Sequence, residues 1–477
     1  MREGLSRHPL LIAGLVCLSV PAAAQDNSDQ SAPAPAEDNQ PEPKRPAILM
    51  NRWQEDWSVL ADPALRTHVL DDLKYIPLSA NDPKTYLSLG ANWRTRFETS
   101  NAPGFNSSQE ESYVINRVEA NADLHVGPVQ VFAQLQNDFA PGKKYLTPVD
   151  SDRLDLEQGF IALVVPVGSG TFKGRVGRQQ FAFDLQRFVG VRDGPNVRQS
   201  FDALWVDYEI GPWRFIGYYT QPVAVYDRHP FDDRSSGQNR FYGLRAEWRS
   251  KGNHEFSGYW SRFTNDNASF LSVSGMERRD VWDLRSTGTV GRIDWDAEFM
   301  AQTGHVASKR IRAWAIGTRA GYTFADSPLQ PRLGVQLDAA SGDRNREDAT
   351  LGTFNPLFPN GFYFTLAGYT GYANLVHAKT SLTVKPTKKV TVTGAVAGQW
   401  RLTTGDAVYL QPSIPVPGTA GVGGRWTGAY GQIQIAWAVS GQLSAALEAD
   451  HFGVGSTVHN AGGEDSNYLG LQLGFAW

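Results

Sequence analysis

The sequence predicts an all-β chain folded as a transmembrane antiparallel up-and-down β-barrel of about eighteen strands, preceded by a short N-terminal periplasmic segment. Three observations carry that prediction. From Tyr86 onward apolar and polar residues alternate with period two, the connections between these stretches alternate short with long, and the last stretch, Leu469-Gly470-Leu471-Gln472-Leu473-Gly474-Phe475-Ala476-Trp477, ends on an aromatic. A strand with one greasy and one polar face suits a wall with lipid outside and water inside.

The elements follow in chain order. Arg2 and Arg7 precede an apolar run from Leu10 to Val20, and Ala22-Ala23-Ala24 offers a small-residue cleavage site, so residues 1–24 are expected to be a removed signal peptide. The run is too short to cross a bilayer as a helix. The single cysteine, Cys17, falls inside it, so neither disulfides nor thiolate metal sites are expected in the mature chain. Residues 25–45, rich in Pro, Ala, Gln and acids, are expected to be a disordered leader. Residues 46–85 change texture, with Asn51-Arg52-Trp53-Gln54-Glu55-Asp56-Trp57 and then Asp71-Asp72-Leu73-Lys74-Tyr75-Ile76-Pro77-Leu78. This pre-barrel segment either packs in the periplasmic mouth or forms an ordinary surface.

Residues 86–477 are the barrel. In the first stretch Leu87, Leu89, Ala91, Trp93, Thr95 and Phe97 share one face, while Ser88, Asn92, Arg94, Arg96 and Glu98 share the other. The split recurs at Val129, Val131, Ala133 and Leu135 against Gln130, Gln134, Gln136 and Asp138, and again along 293–302. Strands are expected at 86–98, 112–126, 129–139, 154–165, 172–180, 201–209, 213–220, 238–249, 254–263, 279–289, 293–303, 311–324, 331–341, 373–385, 389–401, 425–438, 442–452 and 466–477. Gly127-Pro128, Gly211-Pro212, Gly291-Arg292 and Ser440-Gly441 read as tight turns, and 181–200, 221–237, 342–372 and 402–424 as long outer loops. An even count returns both ends of the wall to the periplasmic side.

Composition excludes other classes. With 41% hydrophobic residues and no other long apolar run, the chain is not a helical membrane protein, and a net charge of −4 without a basic stripe gives nucleic acid no footing. No Walker loop, Gly-x-Ser-x-Gly elbow or His-Glu-x-x-His is present, and His125, His254, His305, His377, His451 and His459 are scattered singly. No enzymatic activity is expected, and transport needs no cofactor or metal.

The informative polar residues are arginines. Strand parity turns Arg94, Arg96, Arg117, Lys173, Arg175, Arg245 and Arg249 into the lumen, whereas acids cluster later, at Asp294, Asp296, Glu298, Glu448 and Asp450. Either a basic arc faces an acidic one and sets a transverse field, or each charge neutralises a neighbour, as Arg96 with Glu98 or Arg117 with Glu119. The 181–200 loop carries Arg187, Arg192 and Arg198 against Asp184 and Asp193; folded inward, its guanidiniums could grip an acidic polymer. The 342–372 loop contains Phe354-Asn355-Pro356-Leu357-Phe358-Pro359, too apolar to stay solvated, and is expected to pack down as a plug or constriction.

Four stretches together resemble the alginate-export family of bacterial outer-membrane barrels: RWQEDWSVL with LKYIPL ahead of the barrel, RVGRQQFAFDLQRFVGVRDGPNVRQSFDA, AASGD followed by TFNPLFP, and Trp400-Arg401 to Asp406-Ala407-Val408-Tyr409. The resemblance implies an arginine-lined outer-membrane channel for a uronic-acid polysaccharide, with Arg94, Arg96, Arg175, Arg178, Arg192, Arg198 and Arg401 as contacts. Arg117 and Arg187 complete the candidate substrate-binding set. The acids at 294–298 and 448–450 depart from a strongly electropositive pore. Expected partners are outer-membrane lipid, an anionic polysaccharide or oligosaccharide, the barrel-assembly machinery through the last strand, and periplasmic polysaccharide-handling proteins. The alternative is an uptake porin for neutral sugars or small organic acids, with Tyr86, Tyr113, Phe132, Trp426 and Tyr430 as a stacking slide for sugars. A plugged structural barrel or adhesin is a third reading.

Overall fold

The computed structural model describes residues 45–250 and 253–477. The expected signal peptide and all of the leader except Arg45 lie outside the described residues. Alternation makes one antiparallel wall of 18 long strands, closed on itself. They are β1 (Tyr86–Ser100), β2 (Glu111–Val126), β3 (Val129–Phe139), β4 (Asp152–Val167), β5 (Gly170–Gln179), β6 (Phe201–Ile210), β7 (Trp213–Ala224), β8 (Asn239–Arg249), β9 (Glu255–Phe270), β10 (Val273–Val290), β11 (Ile293–Val306), β12 (Lys309–Thr323), β13 (Arg332–Ala340), β14 (Leu375–Thr387), β15 (Val390–Trp400), β16 (Trp426–Ala438), β17 (Leu443–Val454) and β18 (Ser466–Ala476). Each expected strand is present.

Outward strand residues are apolar and exposed, as with Phe97 at 36% and Leu284 at 68%, while their neighbours Arg96 and Asp283 are buried inside. That outer band is the lipid-facing girdle of a barrel wall. β1 pairs with β2 on one edge and with β18 on the other, from Asn92 opposite Ala476 to Ser100 opposite Tyr468, so no edge is left open. At the short-turn end the two-residue turns begin on Gly127 and Gly211, each at φ 55, the left-handed conformation that tight hairpins demand and glycine supplies without strain.

The alternation of loop length has two exceptions at the outer end. β9 and β10 are joined by a two-residue turn at 271–272, and β11 and β12 by another at 307–308. There the strands themselves do the reaching: β9 is 16 residues long and β10 is 18. Their outer ends run beyond the expected 263 and 279: Asn265 still pairs with Glu277, the register shifts across Asp266 and Asn267, and the ladder resumes at Ala268 where no lipid face is required.

Two long connections turn inward. The 180–200 and 341–374 segments hydrogen-bond to each other, Phe358 N to Phe188 O and Gly190 N to Phe358 O, both at 2.8 Å. Phe181, Phe183, Phe188, Phe354 and Phe358 then form one buried cluster with the inward Trp205, Tyr218, Phe241, Tyr259 and Phe263. The 45–85 segment packs into the short-turn mouth, its Trp57, Leu60 and Tyr75 buried against Tyr86, and its Ile76–Pro77 paired with Tyr86 and Leu87 on β1. Trp53 goes deeper, with its ring centroid 5.7 Å from that of Phe160. The two infolded connections fill much of the side nearest β4–β11, while the 45–85 segment seats against the β1–β18 seam through Arg52 and Lys74 and reaches β4 with Trp53.

Candidate functional site

Within the lumen lies a cavity of about 500 Å³ whose lining comes from β1, β2, β12–β18, Ile48, Leu49 and Met50 of the pre-barrel segment, and the inner edges of both infolded connections. Of the nine arginines expected to meet substrate, four line it: Arg94, Arg96, Arg117 and Arg198. Three of these converge on one loop acid. Asp193 Oδ1 receives Arg117 at 2.6 Å and Arg198 at 2.7 Å, with Arg94 at 4.0 Å. Burial opposes the charge on Asp193, but Arg198, Arg117 and Arg94 outweigh it and hold its carboxyl well below the usual carboxylate range. Arg94 otherwise donates to the backbone carbonyls of Asp193 and Pro195. Arg96 is paired with Glu98 at 2.9 Å and Glu448 at 2.7 Å, and lies over the Phe362 ring.

The other five are elsewhere. Arg175 stacks on Trp53, 4.1 Å from its ring centroid, within the filled side. Arg178 sits toward the outer end, bonded to Asp202 at 3.0 Å and to the carbonyls of Leu156 and Asp233. Arg187 is fully buried between Asp296 at 2.5 Å and Glu298 at 2.7 Å. Arg192, at φ 56, reaches Gln199 and the Leu357 carbonyl over the Phe358 ring. Arg401 donates to the carbonyls of Asp406, Thr419, Val422, Gly423 and Gly424, so it clamps the 401–425 connection. These five do not border the cavity, and strand acids, rings and carbonyls engage their guanidiniums.

Four of the five acids that suggested an opposing arc are likewise met, whereas Asp450 is buried with neither carboxylate oxygen hydrogen-bonded. Asp296 and Glu298 hold Arg187, Asp296 also holds Arg285, Asp294 pairs with Arg332, and Glu448 with Arg96. These four are neutralised in place rather than set across a free lumen. Of the two expected neutralising pairs, Arg96 with Glu98 is present at 2.9 Å, whereas Arg117 goes to Asp193 and Glu119 receives Arg198 at 2.6 Å.

Strand reading missed the two cations that matter most here. Arg319 on β12, Gln336 on β13 and Lys379 on β14 form one register row across three adjacent strands, and all border the cavity. Among the described residues neither Arg319 nor Lys379 has a carboxylate within ion-pair distance; Arg319 contacts the Tyr363 ring at 4.5 Å, and Lys379 donates to the Phe364 carbonyl at 3.3 Å. Period-two parity places both inward and could have found them.

The expected aromatic slide is not a row. Tyr86 stacks on His125, Phe132 packs on Phe160, Tyr430 stacks on His377, and Lys143 covers the Tyr113 ring. Trp426 faces outward opposite Trp400, because a register shift between Gln399 and Trp400 reverses its parity.

A family model described as alginate export matches residues 85–472. No curated protein matches the chain. Among solved structures, the chain is similar to Pseudomonas aeruginosa OpdO, at 12% identity over 82% of this chain and 97% of that one, with a TM-score of 0.56. It is similar also to Pseudomonas aeruginosa OccK8 (OprE), at 11% identity, 82% and 98% coverage and a TM-score of 0.55. A third is Pseudomonas aeruginosa OccK2 (OpdF) in complex with glucuronate, at 12% identity, 82% and 98% coverage and a TM-score of 0.53. At such identities the likeness shows the fold.

Proposed function

This chain belongs to the alginate-export family, a non-enzymatic channel of the bacterial outer membrane, and from that premise we propose that it passes uronate-bearing solutes, as short acidic oligosaccharides, through the cavity beside β12–β14. One observation carries the reading: Arg319 and Lys379 face the cavity without a carboxylate partner, in register with the amide of Gln336. A guanidinium grips a carboxylate through two parallel hydrogen bonds, an ammonium holds it as a point charge, and the amide meets sugar hydroxyls. Arg94, Arg96, Arg117 and Arg198 extend a positive lining on the facing side, tempered by Asp193 and Glu448. Such half-compensated sites suit conduction, which needs binding firm enough for entry and weak enough for release. The glucuronate bound by OccK2 is a solute of the same chemistry in a barrel of the same fold. A lumen narrowed by two infolded connections favours short oligomers over a broad polymer.

The partners proposed with this function are periplasmic polysaccharide-handling proteins and, during biogenesis, the barrel-assembly machinery at β18. The test is reconstitution in a planar bilayer. Anion preference, with current block by galacturonate or mannuronate oligomers and none by neutral oligosaccharides of equal length, is expected. Cation preference without uronate block overturns the proposal.

A further inference from the structure

Away from the cavity, the outer end of β4 holds a group of carboxylates that transport does not use. Asp152 and Asp155 stand on β4 and Asp233 on the 225–238 connection, and a carboxylate oxygen from each lies within 4.8 Å of the others. Irregular register between β3 and β4, with shifts between Gln134 and Leu135 and between Gln136 and Asp138, buries both β4 acids. The connection is drawn onto the strand by Phe231 N to Leu154 O and by Asp233 N to Asp155 Oδ2, each at 3.0 Å. The nearby cation is Arg178, 3.6 Å from Asp155, and its Nε and Nη2 are already engaged with Asp202.

A second, independent feature points to a missing positive partner. Asp152 is 0% exposed, and its Oδ1 has no donor. Gln136, 3% exposed, donates its Nε2 to Asp152 Oδ2 at 2.5 Å and leaves its own Oε1 without a partner. Asp138, opposite Asp152 in the ladder, has neither carboxylate oxygen met. Buried anions are ordinarily paired or bound to metal, and each unmet oxygen otherwise bears its full desolvation cost. The molecule's other carboxylate trio differs in its cations rather than in its unmet oxygens: Asp283 there also has neither oxygen hydrogen-bonded, but Asp184 and Glu298 beside it are met by Arg245, Arg285 and Arg187.

We propose that Asp152, Asp155 and Asp233, with the side-chain oxygen of Gln136, bind a hard divalent cation, calcium, which ties the 225–238 connection to the outer end of β4. An all-oxygen set of carboxylates and an amide suits calcium, which accepts irregular shells of six to eight oxygens; magnesium demands a tighter octahedron and retains its waters. Half a turn of the Gln136 amide exchanges its nitrogen and oxygen ends and presents Oε1 to the ion.

The test uses the full chain, refolded in detergent, stripped with EDTA, and titrated calorimetrically with calcium chloride or magnesium chloride. One calcium site is expected, with magnesium at least tenfold weaker. Asp152→Asn and Asp233→Asn should each weaken calcium at least tenfold, and Asp348→Asn on a distant exposed loop should leave it unchanged. Heat-modifiable mobility confirms the barrel first; if Asp152→Asn does not fold, Asp233→Asn, which lies outside the wall, carries the test. Trypsin gives a second readout, since calcium should slow cleavage after the exposed Arg228 in wild type only. Absence of calcium binding, equal affinity in Asp233→Asn, or cleavage indifferent to calcium overturns the proposal.

Discussion

The two sides of this lumen are built from the same alternating strands and behave oppositely. On the β4–β11 side the prominent arginines are answered from within: Arg187 descends from an infolded connection to Asp296 and Glu298, Arg245 and Arg285 hold Asp184, and Trp53 lies under Arg175. On the β12–β18 side Arg319 and Lys379 face open space. An inward-pointing charge is therefore not by itself a transport residue. The connection that folds over a strand decides whether its charge is structural or available to a solute.

Breaking the answered side should have the largest effect. Arg187→Ala leaves Glu298 buried without its guanidinium and should cost about 3 kcal/mol or more. The checks are a lower urea unfolding midpoint and a higher single-channel conductance as the 180–200 connection loosens; unchanged values for both would mean that the ion pairs do not hold the infold. On the open side, Arg319→Ala with Lys379→Ala should weaken uronate block about tenfold, roughly 1.4 kcal/mol, with no change in unfolding. If unfolding shifts instead, these cations are structural too.

A smaller, pH-dependent effect is expected where the pre-barrel segment docks. Burial first, and then Arg52 and Arg45, lower Lys74 from 10.5 to about 7 against the opposing pull of Glu55 and Asp123. The undocked lysine keeps its proton to higher pH than the docked one. Docking should therefore strengthen as pH rises from about 7 toward 10.5 and stay at its weakest below 7. The change over one pH unit should be about 1 kcal/mol or less. Hydrogen exchange of residues 52–75, corrected for intrinsic rate, reads it; a flat wild-type profile, or one unaltered in Lys74→Met, would refute it. Smallest of all, Arg192→Ala should leave uronate block unchanged, because Arg192 does not border the cavity.

The wall was legible because its signal is local. Two-residue alternation needs only the neighbouring positions, and the tight turns carry glycine where the backbone turns left-handed, as at Gly127. The site was legible only in part. Parity correctly turned Arg117 inward, but its partner Asp193 is 76 residues away on a connection whose path no strand pattern records. Arg401 looked like a pore contact through family resemblance and instead holds carbonyls of its own loop. Trp426 was misplaced by a single register shift, which inverts everything beyond it on that strand. Arg319 and Lys379 were visible as inward cations, but their lack of acidic partners depends on where the distant acids went.

The seam between β1 and β18 has a consequence for how the barrel is made. Arg52 donates to Trp477 O at 2.7 Å across a sequence separation of 425, and also bonds Asn92 on β1. Neighbouring hairpins close short loops and form early, whereas joining the first strand to the last closes the longest loop of all and comes late. The Arg52 bridge can form only once that closure is complete. The pre-barrel segment, synthesised before any strand of the wall, thus becomes the last piece to be seated, a latch whose engagement reports a finished barrel.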